Sequence, residues 1–128
     1  MNAIAPLQVE LFVDDLAASI DFYTRIAGFV IDDKQPDGYT ALSNGPIRIS
    51  LNKHTSLPSD HPIYVANGER PGRGVEFVLK VAHLNSLYAH VKAQGWPIRD
   101  ELVRRPWGAE DFRLQDPDGY YWRFTTPA

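Results

Sequence analysis

The sequence predicts an α+β fold built from two βαβββ modules. Three observations support it: apolar and polar residues alternate in short runs, each half has one amphipathic helical stretch, and the halves form a weak internal repeat. A length of 128 residues suits one domain, or two small modules that share a core. We expect a single domain, 1–128, with a first module 1–51, a linker 52–73 and a second module 74–128.

The first half begins with an alternating run, Leu7–Val13, which predicts a strand. Asp14 and Asp15 offer an N-cap for the helix that follows, and Gly28 offers its C-terminal stop. Three further strands are predicted at Phe29–Ile31, Gly38–Leu42 and Ile47–Leu51, the last two as a hairpin.

The segment Asn52–Arg73 holds three prolines and two glycines and shows little periodicity, so it is predicted to be a loop or linker. A loop of this length is often functional or mobile. A plain connector between two halves explains the composition equally well.

The second half repeats the plan. Val75–Val81 alternates, and a helical stripe follows that Gly95 ends. A short extended stretch begins at Pro97. The final hairpin is predicted from Asp111–Leu114, the turn Asp116-Pro-Asp-Gly119 and Tyr120–Thr125.

The alternation of the last strand separates two faces. Tyr121, Arg123 and Thr125 share one face, while Trp122 and Phe124 point to the other and are predicted to lie in the core under a helix. The repeat aligns Val13 with Val81, Leu16 with Leu84, Gly28 with Gly95 and Phe29 with Trp96. Trp96 is therefore also predicted to be a core residue. Each helix would cover one sheet face, and the two remaining faces could curve around one cavity.

The composition narrows the functional classes. A net charge of -3 without a basic stripe argues against nucleic-acid binding, and the absence of cysteine excludes disulfides and thiolate chemistry. The sequence shows neither a signal-peptide pattern nor an apolar stretch long enough to span a membrane. We expect a soluble cytoplasmic protein.

Three stretches carry a family resemblance: Val13–Tyr23, Ala27–Phe29 and Phe112–Arg123 with Asp-Pro-Asp-Gly inside it. With them the chain resembles the vicinal oxygen chelate superfamily, which includes the glyoxalases, bleomycin resistance proteins and extradiol dioxygenases. The resemblance implies two βαβββ modules with helices on the outer faces of cupped mixed sheets. It also implies a homodimer with cavities formed between chains, sometimes with exchanged strands.

In enzymes of this superfamily, side chains on the open sheet faces hold a divalent metal. The resemblance places those positions at Gln8, Ser50, Glu76 and Arg123. Of these side chains, Glu76 alone is a strong donor, since Arg123 has no lone pair to give and stays charged. We therefore expect no metal and no cofactor.

The candidate ligand-binding residues lie on the same predicted faces or beside them. They are Gln8, Glu10, Phe12, Tyr39, Arg48, Ser50, Glu76, Trp107, Tyr121 and Arg123. Arg48 or Arg123 would meet an anionic group of the ligand, whereas Glu10 or Glu76 would meet a cationic one. Glu76 and Arg123 could instead only pair with each other and fill the site, and Trp107 could equally contact a ligand or pack.

These residues favour a metal-independent small-molecule binder, similar to the bleomycin resistance branch and therefore suited to an antibiotic-like ligand. A metal-dependent lyase, isomerase or dioxygenase with a nonstandard site is the alternative. A structural or partner-binding subunit is a third possibility. Metal bound in a stoichiometric amount would favour the enzyme.

Overall fold

The computed structural model describes residues 6–127 and divides into two compact units, Met1–Glu69 and Arg70–Ala128. In the described residues each unit has one four-stranded mixed sheet and one main helical segment, which confirms the predicted α+β architecture. The boundary between the units falls inside the predicted linker. No helix within residues 6–127 is both long enough and apolar enough to cross a membrane.

Unit 1 contains the strands β1 (Gln8–Val13), β2 (Val30–Lys34), β3 (Thr40–Asn44) and β4 (Ile47–Lys53). Their spatial order is β1-β4-β3-β2, with β1 parallel to β4 and the other neighbours antiparallel. The parallel ladder continues to the pair of Val13 and Lys53, so β4 extends beyond the predicted strand end. A short 3-10 turn, His54–Ser56, follows, and the irregular part of the predicted linker starts later than expected.

The helical segment of unit 1 begins as α1 (Leu16–Asp21), where the Asp15 carboxylate accepts a hydrogen bond from the Ala18 amide at 3.1 Å, as the N-cap prediction requires. It continues as a π-helix, Phe22–Ile26, which the helical spacing did not predict. The Thr24 hydroxyl donates to the Ile20 carbonyl at 2.7 Å. In an α-helix the backbone amide of Thr24 would donate to that carbonyl. The hydroxyl competes for it, which favours the wider turn of the π-helix.

The core of unit 1 lies between this helical segment and one face of the sheet. The buried strand residues Leu11, Leu42 and Leu51 alternate with residues of the second face. We call this second face the polar face of unit 1; it carries Gln8, Glu10, Phe12, Tyr39, Ala41, Ser43, Arg48, Ser50 and Asn52.

Unit 2 repeats this order with the strands β5 (Phe77–Lys80), β6 (Asp100–Arg104), β7 (Glu110–Gln115) and β8 (Tyr121–Thr125) and the helix α2 (Leu84–Ala93). The sheet order is β5-β8-β7-β6, and β5 is parallel to β8. β5 is shorter than the predicted strand because the Val75 amide bonds the Gly72 carbonyl in a turn at 3.3 Å.

The predicted turn between β7 and β8 forms as expected. One carboxylate oxygen of Asp116 accepts hydrogen bonds from the amides of Asp118 and Tyr120, both at 2.9 Å. The Gly119 amide bonds the Asp116 carbonyl at 3.0 Å, and Gly119 has a φ of 98°. The turn fixes the register that places the two strands' side chains opposite each other.

Aromatic rings fill the helix side of unit 2. Phe112 and Phe124 stack with centroids 5.3 Å apart, and Tyr88 of α2 meets Phe112 edge-on at 5.2 Å. Trp122 and Phe124 are buried, as predicted. The core prediction for Trp96 is wrong, because this side chain is only half-buried and its indole N–H donates to the Gln115 carbonyl at 2.8 Å.

The opposite side of this sheet is the polar face of unit 2. It carries Val78, Lys80, Asp100, Asp111, Arg113, Gln115, Tyr121, Arg123 and Thr125, with Glu76 just before β5.

Candidate functional site

Two guanidinium groups share one carboxylate at the centre of the polar face of unit 2. The β7–β8 register places Arg113 directly opposite Arg123. The Nε of Arg123 lies 3.2 Å from one oxygen of Glu76, and the Nε of Arg113 lies 3.5 Å from the other. Glu76 and Arg123 therefore form the ion pair that the sequence left open as one alternative. Arg113 is a second cation on the same carboxylate, and it is not among the site residues predicted from the sequence.

Asp100 extends this ionic network toward β6. Its carboxylate accepts a hydrogen bond from the Tyr121 hydroxyl at 3.1 Å and lies 3.2 Å from Arg99 and 3.9 Å from Arg113. Burial raises the pKa of the Tyr121 phenol, and the hydrogen bond to Asp100 and the negative charges of Asp100 and Glu76 add to the rise. The nearby Arg113 opposes it. Tyr121 is thus held as a neutral donor.

A second ion pair lies beside the network on β7. Asp111 is fully buried, and one of its oxygens contacts the Arg105 guanidinium at 2.8 and 2.9 Å. The hydrogen bond from Arg105 raises the pKa of that guanidinium. The four arginines and three acids paired on this side of unit 2 leave one net positive charge.

Neutral hydrogen-bonding groups dominate the polar face of unit 1. The Gln8 amide nitrogen donates to the Tyr39 hydroxyl at 3.2 Å. The register places Gln8 beside Arg48, near the start of β4. It places Thr40, the residue after Tyr39, beside Leu51, near the end of β4. The backbones of Gln8 and Tyr39 therefore lie toward opposite ends of the sheet. The phenol and the amide therefore reach toward each other along this face.

Acidic groups on the same face of unit 1 are only loosely paired. The Asn52 amide donates to Glu10 at 3.2 Å, the Ser43 hydroxyl donates to Asp32 at 3.0 Å, and Arg48 lies 3.9 Å from Asp32. These two carboxylates and one guanidinium give the face a net negative charge. The Ser50 hydroxyl is fully buried and has no hydrogen-bond partner within the described chain.

The predicted site residues thus fall on two separate faces. Those of unit 1 are Gln8, Glu10, Phe12, Tyr39, Arg48 and Ser50, and those of unit 2 are Glu76, Tyr121 and Arg123. Trp107 lies instead in the turn between β6 and β7, with 66% of its surface exposed. Alternation along β7 could have identified Arg113, because Asp111 and Arg113 alternate with the apolar Phe112 and so lie on the polar face of the sheet.

An open cavity of about 360 Å³ adjoins this network in unit 2. Its lining includes Arg70, Arg73, Glu76 and Tyr121. The Arg70 side chain donates to the Gly119 carbonyl at 2.8 Å, which ties the segment before β5 to the β7–β8 turn. The cavity therefore presents two further guanidinium groups beside the paired arginines.

The side chains at the four metal positions that the resemblance implies, Gln8, Ser50, Glu76 and Arg123, do not suit a divalent cation. Glu76 is the one carboxylate among them, and both its oxygens face guanidinium groups. No group of three or more His, Cys, Asp or Glu side chains that could hold a metal occurs within residues 6–127. Hard and borderline cations need several oxygen or nitrogen donors, and a fixed positive charge at the same place repels them.

The sequence matches the profile of one family over almost its whole length. The profile is described as Glyoxalase/Bleomycin resistance protein/Dioxygenase superfamily and matches residues 5–124. No curated protein sequence matches the chain.

Several solved structures resemble the chain in fold. TioX from Micromonospora sp. ML1 has a TM-score of 0.76 at 22% identity, over 94% of this chain and 96% of that protein. A glyoxalase/bleomycin resistance protein/dioxygenase from Nocardioides has a TM-score of 0.76 at 19% identity, over 98% and 85%. A lactoylglutathione lyase from Agrobacterium tumefaciens gives 0.71 at 20% identity, over 97% and 92%. At such identities the likeness concerns the fold alone.

Proposed function

This chain belongs to the glyoxalase/bleomycin resistance protein/dioxygenase superfamily, and we propose that within it the chain is a metal-independent protein that binds a small, antibiotic-like molecule. The superfamily shares a fold and not a reaction, so the proposal depends on the side chains that occupy the polar faces.

One observation carries the proposal: the Glu76 carboxylate is held between Arg113 and Arg123. A carboxylate in this position would have to leave two guanidinium groups before it could coordinate a metal, and both cations would then repel the ion. The same guanidinium groups suit the recognition of polar ligand groups, because each presents several N–H donors in a fixed plane.

Other side chains on the polar face of unit 1 support binding in preference to chemistry. Phe12 and Tyr39 offer aromatic surface on unit 1, and Gln8 and Asn52 offer neutral amides. Small-molecule sites combine such apolar surface with a few polar groups that fix orientation. Sequestration of a ligand requires complementarity and needs no reacting group.

The proposal includes a homodimer. β2 is an edge strand of unit 1, and its Val30 and Ile31 side chains are 60% and 45% exposed. Leu7, just before the other edge strand β1, is 76% exposed. Exposed apolar side chains at sheet edges are suited to contact a second chain. Sedimentation equilibrium tests this part: a dimer is expected, and a monomer at all concentrations would contradict it.

Metal content and ligand-induced stabilisation together test the function. Protein purified without added metal should contain far less than one equivalent of Ni, Zn, Fe or Mn. In the presence of a chelator, at least one compound of a panel of aromatic antibiotics and metabolites should raise its melting temperature. One tightly bound metal per chain, lost in the Glu76→Gln variant, would instead support the enzyme. A panel without any stabilising compound would support a structural subunit.

A further inference from the structure

The arginine pair of unit 2 has more positive charge than its own carboxylate can neutralise. Glu76 is shared by Arg113 and Arg123, and the next acid, Asp100, already meets Arg99 and accepts the Tyr121 hydroxyl. Asp100 approaches Arg113 only to 3.9 Å. The cluster therefore retains one unit of positive charge that no side chain of the network offsets.

The paired guanidinium groups also keep unused hydrogen-bond donors. The Nε atoms of Arg113 and Arg123 are buried, yet neither finds a hydrogen-bond acceptor with suitable geometry within residues 6–127. Glu76 lies close enough for charge attraction but not in line with these N–H bonds. A buried donor without an acceptor is costly, and a planar oxyanion with two oxygens could satisfy both Nε groups at once.

Glu76 occupies a position from which it can withdraw. It precedes β5, which begins at Phe77, so the sheet does not hold its backbone. The cavity of about 360 Å³ that Glu76 lines offers space toward which its side chain could turn. Because the sheet ladder does not include Glu76 and the cavity lies beside it, its side chain can turn away when another carboxylate takes its place.

We propose that the ligand carries a monoanionic carboxylate, that Arg113 and Arg123 bind it, and that Glu76 is an internal carboxylate which the ligand displaces. A monocarboxylate ligand would take the place of the Glu76 carboxylate between the two opposed guanidinium groups, whose planar donors match its shape. Arg70 and Arg73 line the adjoining cavity and would favour the approach of an anion. This inference rests on the proposed binding function and specifies its ligand.

Benzoate is a suitable probe, and benzamide is its neutral control of nearly the same shape. Heteronuclear NMR of the arginine Nε–H groups follows the binding site itself. Benzoate should shift the Arg113 and Arg123 signals with saturation, and benzamide should leave them unchanged. Inorganic phosphate is titrated in a separate experiment. If phosphate shifts the Arg113 and Arg123 signals and benzoate does not, the proposal that the ligand group is a carboxylate is overturned.

The Glu76→Gln variant tests the role of Glu76 directly. Its affinity for benzoate should rise if Glu76 competes with the ligand and fall if Glu76 helps to hold it. Glu76→Gln should bind benzoate about tenfold more tightly, because the competing internal charge is gone. Glu101→Gln removes an equal charge that is paired with Lys92 and should change nothing. Weaker binding by Glu76→Gln would show that Glu76 helps to hold the ligand and would overturn the proposal.

Two arginine variants complete the test. Arg123→Met should weaken benzoate binding at least about tenfold, and Arg113→Lys should weaken it too, because the charge remains but the planar fork is lost. Arg104→Met removes an exposed arginine of β6 and serves as the control. If both site variants bind benzoate as the control does, the arginine pair is not the anion site.

The inference and the proposed function can fail separately. If benzoate leaves both arginine signals unchanged while neutral compounds stabilise the protein in the presence of chelator, the inference is wrong and the binding function stands. If no compound of either kind binds, both are wrong.

Discussion

The two units share strand order and register but carry opposite chemistry on their polar faces. At the centre of unit 1, Ala41 lies opposite Ser50; in unit 2, the corresponding pair is Arg113 and Arg123. Unit 1 thus has small neutral side chains and a net negative charge where unit 2 has two guanidinium groups and a net positive charge. A repeated backbone does not determine what its second face recognises, because the side chains on that face are free of the core.

The helix sides of the two units are alike, and this similarity predicts the largest effects. Phe22 of unit 1 and Phe112 of unit 2 are both fully buried among other rings. Replacement of either by alanine should lower the free energy of unfolding by about 3–5 kcal/mol, as measured by chemical denaturation. A loss in one unit that is less than half the loss in the other would show that the cores are not equivalent.

The next largest effect concerns the segment that positions Glu76. A Cβ on Gly72 would lie 2.4 Å from the Tyr120 ring, and the φ of Gly72 is 72°. Gly72→Ala should therefore cost about 2 kcal/mol or more of unfolding free energy. Gly68 of unit 1 has a φ of 85°, and a Cβ added there would meet no heavy atom of the described chain within 4 Å. Gly68→Ala is therefore the matched control. It should cost only about 1 kcal/mol. Equal losses would mean that the contact with Tyr120 does not matter.

Part of this organisation could be predicted from the sequence. The turn Asp116–Gly119 and the N-cap at Asp15 formed as expected because each depends on neighbouring residues only. Alternation correctly separated Trp122 and Phe124 from Arg123. Such local patterns can be predicted because the interactions that form them involve residues close together in the sequence.

The rest depends on distant pairing that local patterns do not encode. The approach of Arg113 to Glu76 follows from the register of three strands, which no short motif specifies. The extension of β4 to Lys53 depends on its parallel ladder with β1. Trp96 aligned with a buried phenylalanine but lies half-buried, since its N–H bonds the Gln115 carbonyl.

Tyr121 on the polar face of unit 2 makes the free energy of unfolding depend on pH. The folded state raises the pKa of its phenol above the ordinary 10.0, so the folded protein keeps the proton to higher pH than the unfolded chain does. The stabilisation is fully present below pH 10.0 and is lost as the pH rises through the higher pKa of the folded state. Tyr121→Phe should cost up to about 1 kcal/mol of unfolding free energy near neutral pH. In denaturation curves recorded above pH 10.0 this deficit should shrink. A deficit that grows with pH would contradict this.

The smallest expected effect belongs to the polar face of unit 1. Ser50→Ala removes a buried hydroxyl that lacks a partner within residues 6–127, so the free energy of unfolding should rise by about 0.5 kcal/mol. Ser43→Ala is the control in the adjacent strand, because its hydroxyl bonds Asp32. That variant should lose about 0.5–1 kcal/mol. If both variants lose stability equally, Ser50 has a hydrogen-bond partner after all.

Under the proposed function, the arginine pair holds Glu76 and leaves it unavailable to a metal ion. Paramagnetic broadening by Mn²⁺ tests this directly, because it reports the distance of the ion from each backbone amide. We expect only weak, unsaturable broadening at exposed acids. Broadening centred on β5 and β8 that saturates at one ion per chain, and that Glu76→Gln abolishes, would contradict it.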